Sequence, residues 1–164
     1  MNIAYLLIGG NMGDRHMNLA TARHLIDQQC GTIFRTSSIY ETAAWGNQDQ
    51  PAFLNQALEV YTPLNARQLM RRILKTEKLM GRTREEKYGP RIIDIDILLF
   101  NNEVHNLHFL KLPHPELPNR RFALVPLVEI APDIVHPVSK KTISALLDAC
   151  VDPLPVKKLL NPKP

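Results

Sequence analysis

Residues 87–98 read Lys-Tyr-Gly-Pro-Arg-Ile-Ile-Asp-Ile-Asp-Ile-Leu, and they constrain the fold of this 164-residue chain more than any other stretch. A turn-rich approach runs into an apolar, β-branched segment ending at Phe100, which is the pattern of a buried strand. Asp94 and Asp96 lie two residues apart in it, so on a strand they share one face, about 7 Å from each other. Ile93, Ile95 and Ile97 then point into an apolar layer on the other face. Carboxylates in so oily a strand need partners, because an unpaired buried charge is costly. A hard divalent cation is one solution, since Mg²⁺ is held by one or two carboxylates together with substrate phosphates. Ion pairs to nearby arginines are the other, and Arg82, Arg84 and Arg91 bracket the strand.

The length is that of one domain with a core of its own, expected over residues 1–151, followed by a Pro/Lys-rich tail over 152–164. The tail holds four prolines and is expected to be poorly ordered. No run approaches the length of a membrane span, and the apolar stretch 3–8 is too short, and lacks the basic lead, for a signal peptide. Cys30 and Cys150 have no metal-type spacing and read as reduced thiols of a cytoplasmic protein. A net charge of +4 favours anionic partners, nucleotides or nucleic acid.

Taken in order, residues 2–8 form a first strand, and Asp14 caps a helix reaching Gln29 with Leu19, Ala22 and Ile26 on its buried stripe. The glycine turn between them lacks both the P-loop and the full dinucleotide fingerprint, so it reads as a structural turn. Residues 32–40 form a second strand, 41–52 a polar loop and 53–62 a third strand. In the third strand Leu54, Leu58 and Val60 share one face, and Phe53, Asn55 and Ala57 the other. Asn65 and Gln68 make a capping box for a second helix that ends near Gly81. The acid-bearing strand, 92–100, follows.

Strand–helix–strand–strand–helix–strand is the α+β, ferredoxin-like split βαβ arrangement. It predicts one antiparallel sheet with both helices on one face and the other face free for a site. Residues 104–112 add an edge hairpin, and short helices near 123–130 and 142–150 complete the domain. Trp45 in the long loop reads either as a lid over a flat ligand or as an aromatic tucked against the body. Asn55 either reads a heterocycle edge or satisfies neighbouring backbone. His114, between Pro113 and Pro115, and Arg120 either face an anion or brace their loop.

The 87–98 stretch closely resembles the signature of the hydroxymethyl-dihydropterin pyrophosphokinase family of folate biosynthesis. Ile8-Gly9-Gly10-Asn11, Tyr40-Glu41-Thr42, residues 49–55, Gly81-Arg82, Leu112-Pro113-His114-Pro115, Asn119-Arg120-Arg121-Phe122 and His136-Pro137 follow the family's order and spacing. The resemblance implies transfer of the terminal diphosphate of ATP to the hydroxymethyl oxygen of the reduced pterin, releasing AMP. It implies that Asp94 and Asp96 hold two Mg²⁺ ions arriving with ATP, and that Arg82 and Arg91 act on the phosphates with Arg84 in support. Glu77, His114 and Arg120 match ATP-side positions; Thr42, Phe53, Asn55 and Phe122 match pterin-side positions. The partners implied are ATP and the reduced pterin, with no nucleic acid and no membrane, acting on a monomer.

The chain departs from the family's usual pattern at Gly9-Gly10, at Ala43-Ala44, and at Leu74, Phe109 and Lys111 on the adenine side. A single-stranded nucleic-acid module is the competing reading for a basic ferredoxin-like chain. Asp94 and Asp96 on a central strand argue against it, as does the missing glycine- and aromatic-rich RNA-recognition strand. A nucleotide-binding regulator on the same fold is opposed by the intact Arg82, Arg91, Asp94 and Asp96.

Overall fold

A computed structural model of the chain describes residues 1–44, 49–82 and 91–160. The first strand, β1 (Asn2–Gly10), leads into α1 (Arg15–Gln29), where the Asp14 carboxylate accepts the Met17 N–H as expected of an N-cap. Strands β2 (Thr32–Thr36), β3 (Tyr40–Thr42) and β4 (Phe53–Thr62) follow, then α2 (Ala66–Leu79) and the acid-bearing β5 (Asp94–Phe100). Both halves of the Asn65–Gln68 capping box are formed at the start of α2. The sheet order is β5-β1-β4-β3, with β2 also on β4 and every pairing antiparallel, which is the split βαβ topology.

The expected single strand over 32–40 is two. Between Thr36, opposite Leu58, and Tyr40, opposite Asn55, the chain bulges. The Ser37 N–H donates to the Ala57 carbonyl while the Ser37 hydroxyl accepts the Ala57 N–H (2.9 Å each), so a side chain stands in for the ladder. The acid-bearing β5 begins at Asp94, two residues later than expected.

One face of the sheet carries Ala4, Leu6, Ile8, Leu54, Leu58, Ile93, Ile95 and Ile97, buried beneath α1 (Leu19, Ala22, Ile26) and α2 (Ala66, Leu69, Ile73). The opposite face, expected to be free, is free only in part. Tyr5, Leu7, Ala57, Leu98 and Leu99 there pack against α3 (Arg121–Ile130) and α4 (Ile143–Ala149). The physical reason is apolar area: Leu124, Leu127, Ile143 and Leu146 need cover, and only the second sheet face offers it. The remaining strip of that face holds the site.

The hairpin expected over 104–112 forms as β6 (His105–Leu107) and β7 (Leu110–Leu112), a two-stranded sheet of its own. The segment after Asp152, expected to be poorly ordered, instead adds β8 (Val156–Lys158) to the outer edge of β3. Asp152 prepares that course. One of its carboxylate oxygens accepts the Arg121 N–H at the start of α3 and the other accepts the Leu154 N–H, 3.1 Å each. The open edge of β3 then gains a partner strand. Cys30 and Cys150 are both buried free thiols. Among the described residues no helix is long and apolar enough to cross a membrane.

Candidate active site

The ends of β1, β4 and β5 come level on the open strip. Gly9 is opposite Asn55 on one side and Asp94 on the other, while Leu7 is opposite Asp96. Above them lies a cavity of about 230 Å³ lined by Leu7, Gly9, Thr42, Phe53, Asn55, Arg91, Asp94, Asp96, Arg120 and Phe122. Its floor is made by the sheet, one wall by the β3–β4 ends, and the other by the start of α3. The floor must lack a side chain at Gly9, because a β-carbon there would run into the Asn55 amide and the Leu54 carbonyl. Gly10 is required in the same way, since its missing side chain leaves room for the Ile92 carbonyl.

On the acid side, Asp94 is held by two guanidiniums: Arg82 at 2.5 Å on one oxygen and Arg91 at 3.1 Å on the other. Arg82 also bonds Glu77 at 2.8 Å. Burial opposes the charge on Arg82, but Asp94 and Glu77 outweigh it and hold the guanidinium above its ordinary basicity. At Asp96 it is the charged form that is disfavoured: burial first, then the charges of Asp94 and Glu77, raise its carboxyl above the usual range.

Two acids, Asp94 and Glu77, share Arg82, and beside them Asp96 has burial and both their charges against it. That is the electrostatic environment a hard cation relieves. Two carboxylates on one strand face, open to a cavity, are a fitting oxygen set for Mg²⁺ completed by substrate phosphates. Among the described residues they are joined by no third carboxylate, histidine or cysteine in a ready-made ligand cluster. Both partners weighed for the acids in the sequence therefore bear on the site: arginines hold Asp94, and Asp96 fits a cation.

The pterin-side expectations converge. Phe53, Asn55, Thr42 and Phe122 all line the cavity. The Thr42 hydroxyl is buried without a hydrogen-bond partner among the described residues. Arg91 lies over the Phe53 ring (5.6 Å to its centroid) and Arg120 over Phe122 (5.7 Å), so each aromatic carries a guanidinium over its ring.

His114 and Arg120 meet beside Asp96 in a small adjoining recess. The His114 Nδ1 accepts the Glu116 N–H (3.1 Å), which leaves the proton of a neutral ring on Nε2. Burial, and then the Arg120 charge, hold His114 below the ordinary histidine value.

Glu77, expected on the ATP side, stands on α2 bonded to Arg82. It is 2% exposed, does not line the cavity, and accepts the Ile95 N–H (2.8 Å) besides Arg82. Arg84 and Trp45 lie outside the described residues. Sequence reasoning gave no role to Leu7 or Ala43, which line the cavity, or to the buried Asn11 beside it.

The family model described as 7,8-dihydro-6-hydroxymethylpterin-pyrophosphokinase (HPPK) matches residues 5–132. The 2-amino-4-hydroxy-6-hydroxymethyldihydropteridine pyrophosphokinase of Bacillus subtilis is 44% identical over 148 residues, covering 90% of this chain and 86% of that one. The protein of the same name from Aquifex aeolicus is 41% identical over 143 residues, covering 87% and 89%. Among solved structures, the wild-type Plasmodium falciparum HPPK-DHPS crystal structure with SDX-DHP superposes with a TM-score of 0.74 at 22% identity. That match covers 91% of this chain and 43% of the longer one, and it bears on the fold alone. Matched over most of its length by the family model and by both bacterial relatives, the chain belongs to the 7,8-dihydro-6-hydroxymethylpterin-pyrophosphokinase family.

Proposed function

We propose that the family's diphosphate transfer, from ATP to the hydroxymethyl group of the reduced pterin with release of AMP, runs in this cavity on the side chains assembled there. The carrying observation is the level row Asn55–Gly9–Asp94, which sets an amide suited to a heterocycle edge beside a carboxylate suited to a phosphate-bound cation. The pterin ring lies between Phe53 and Phe122, and stacking on two aromatics suits a flat bicycle. Asn55 offers a donor and an acceptor to the ring edge, and Thr42 lines the wall beside it. The hydroxymethyl oxygen then points toward Asp94 and Asp96.

Reaction forms a bond from that oxygen to the β-phosphorus and breaks the bond from the β-phosphorus to the oxygen bridging it to the α-phosphorus. Asp94 and Asp96 would hold two Mg²⁺, which when bound neutralise the triphosphate and stabilise charge on the transferring group. Arg82 and Arg91 exchange their hold on Asp94 for the phosphates, where their fixed N–H forks follow charge as it shifts. His114 donates from Nε2, and Arg120 adds charge on the α3 side. Arg84 adds a further cation from the adjoining segment. Two buried free thiols fit the reducing cytoplasm.

Binding of Mn²⁺ as a Mg²⁺ surrogate, followed by paramagnetic resonance with a non-hydrolysable ATP analogue present, tests the metal assignment. Two ions on the unaltered chain and fewer on Asp96→Asn support it. Equal occupancy of both proteins rejects it.

A further inference from the structure

Asn11 is 1% exposed and its hydrogen-bonding capacity is spent on two different chain segments. The side-chain Nδ2 donates to the Pro51 carbonyl and to the Gln50 Oε1, 3.0 Å each. The side-chain Oδ1 accepts the Arg91 N–H at 2.9 Å, and the Asn11 backbone N–H donates to the Arg91 carbonyl at 3.0 Å. Pro51 stands two residues before the cavity aromatic Phe53, and Arg91 is the guanidinium lying over that same ring while reaching Asp94. The contacts span 39 to 80 residues of sequence, so nothing local dictates them.

The chemistry of the residue is specific. Two donors face two oxygens and one acceptor faces an N–H, a set only an amide supplies. An aspartate cannot donate to Pro51, and a glutamine is a methylene too long for a pocket this closed. Gly10 lets the chain approach Ile92 closely enough for the Arg91 contacts to form.

We infer that Asn11 is a positioning residue for the reaction: it clamps the Arg91 backbone and the Pro51 carbonyl together, fixing the phosphate-side arginine against the pterin-side aromatic. This rests on the reading that Arg91 acts on the transferred phosphates. Asn11 touches no substrate in that scheme, and its effect on turnover passes through Arg91.

A double-mutant cycle on the full chain reads this directly, with pterin-dependent AMP release as the rate and the thermal midpoint as a check on folding. Asn11→Ala is expected to lower kcat about tenfold or more in the otherwise unaltered chain, because a small misplacement of a catalytic group is costly. In the Arg91→Ala background the same change is expected to cost about twofold or less, the non-additivity of residues that act as a unit. Asn11→Ala also raises the KM for pterin through the freed Pro51 edge. If Asn11→Ala does not fold, Asn11→Ser, which keeps a small polar group in the pocket, enters the same cycle and is expected to show the same non-additivity with Arg91→Ala. Equal losses in both backgrounds would overturn the inference and leave the function intact. No AMP release from the unaltered chain would overturn both together.

Discussion

Asn55 and Asp94 stand on either side of Gly9 at the same level of the sheet, one strand spacing away in each direction. Adjacent strands are about 4.8 Å apart, so the backbones that carry the amide and the carboxylate are about 10 Å apart, with the Asn55 amide leaning over Gly9 between them. That distance lets one small molecule touch both: a bicyclic ring over Asn55 and a substituent reaching the acids.

The glycine between them is therefore a test of the floor. Gly9→Ala is expected to push the Asn55 amide out of place and to cost about 1–3 kcal/mol of stability by overpacking. Pterin affinity should fall at least as far as in Asn55→Ala, while nucleotide affinity holds. Fluorescence titration with each ligand and a urea midpoint measure both effects. Undiminished pterin affinity in Gly9→Ala would move the ring elsewhere.

The two strand acids should respond oppositely to neutralisation. Asp96→Asn removes a charge crowded by burial, Asp94 and Glu77, so the folded chain is expected to match or exceed the unaltered one in stability by about 1 kcal/mol while losing turnover. Asp94→Asn breaks the pairs to Arg82 and Arg91 and is expected to lower stability as well as turnover. Paired denaturation and rate measurements distinguish them. A loss of stability in Asp96→Asn as large as in Asp94→Asn would contradict the charge pattern derived for the site.

Arg82 carries a structural duty beside its chemical one. Its removal leaves Glu77, 2% exposed, with a buried charge short of its guanidinium partner, and breaking such a pair costs about 3 kcal/mol or more. Arg82→Ala is expected to lose that stability, and Glu77→Gln in the same chain to restore part of it. In both proteins kcat should stay far below the unaltered value with pterin affinity little changed, because the missing interaction belongs to the transition state. Recovery of kcat in the double variant would take Arg82 out of the chemistry.

His136 supplies a pH signature away from the site. Its Nδ1 accepts the Val138 and Ser139 N–H groups at 3.3 and 3.1 Å, and burial holds its basicity below the ordinary value of 6.5. The unfolded chain thus binds the proton more readily than the folded one. Stability is fully present above pH 6.5 and falls as the pH drops from there toward the lowered folded value. Urea midpoints across that range should fall more steeply for the unaltered chain than for His136→Asn. Parallel slopes would show that the ring is not held neutral.

Much of this was readable from local pattern. The alternation Ile93/Asp94/Ile95/Asp96/Ile97 has the period of a strand, and the structure puts the isoleucines in the core and the acids on the cavity side. The caps at Asp14 and Asn65 need only a few adjacent residues, and both formed. What escaped depends on partners far along the chain. The break at Ser37 exists because its hydroxyl meets the Ala57 N–H across the sheet, and β8 exists because β3 presents an edge.

Site residues divided along the same line. Phe53 and Asn55 are on the expected face because strand geometry dictates it, whereas Glu77 turned inward because Arg82, close in sequence, and the more distant Ile95 N–H claim its carboxylate. A lone asparagine after two glycines carries no local sign of the clamp that Asn11 makes.

Separation of nucleotide products after incubation with ATP, Mg²⁺ and 6-hydroxymethyl-7,8-dihydropterin tests the central claim most directly. Diphosphate transfer at this site predicts AMP in amounts equal to the pterin consumed, and none from Asp94→Asn or Asp96→Asn. ADP as the product, or AMP formed equally well by those two variants, would contradict it.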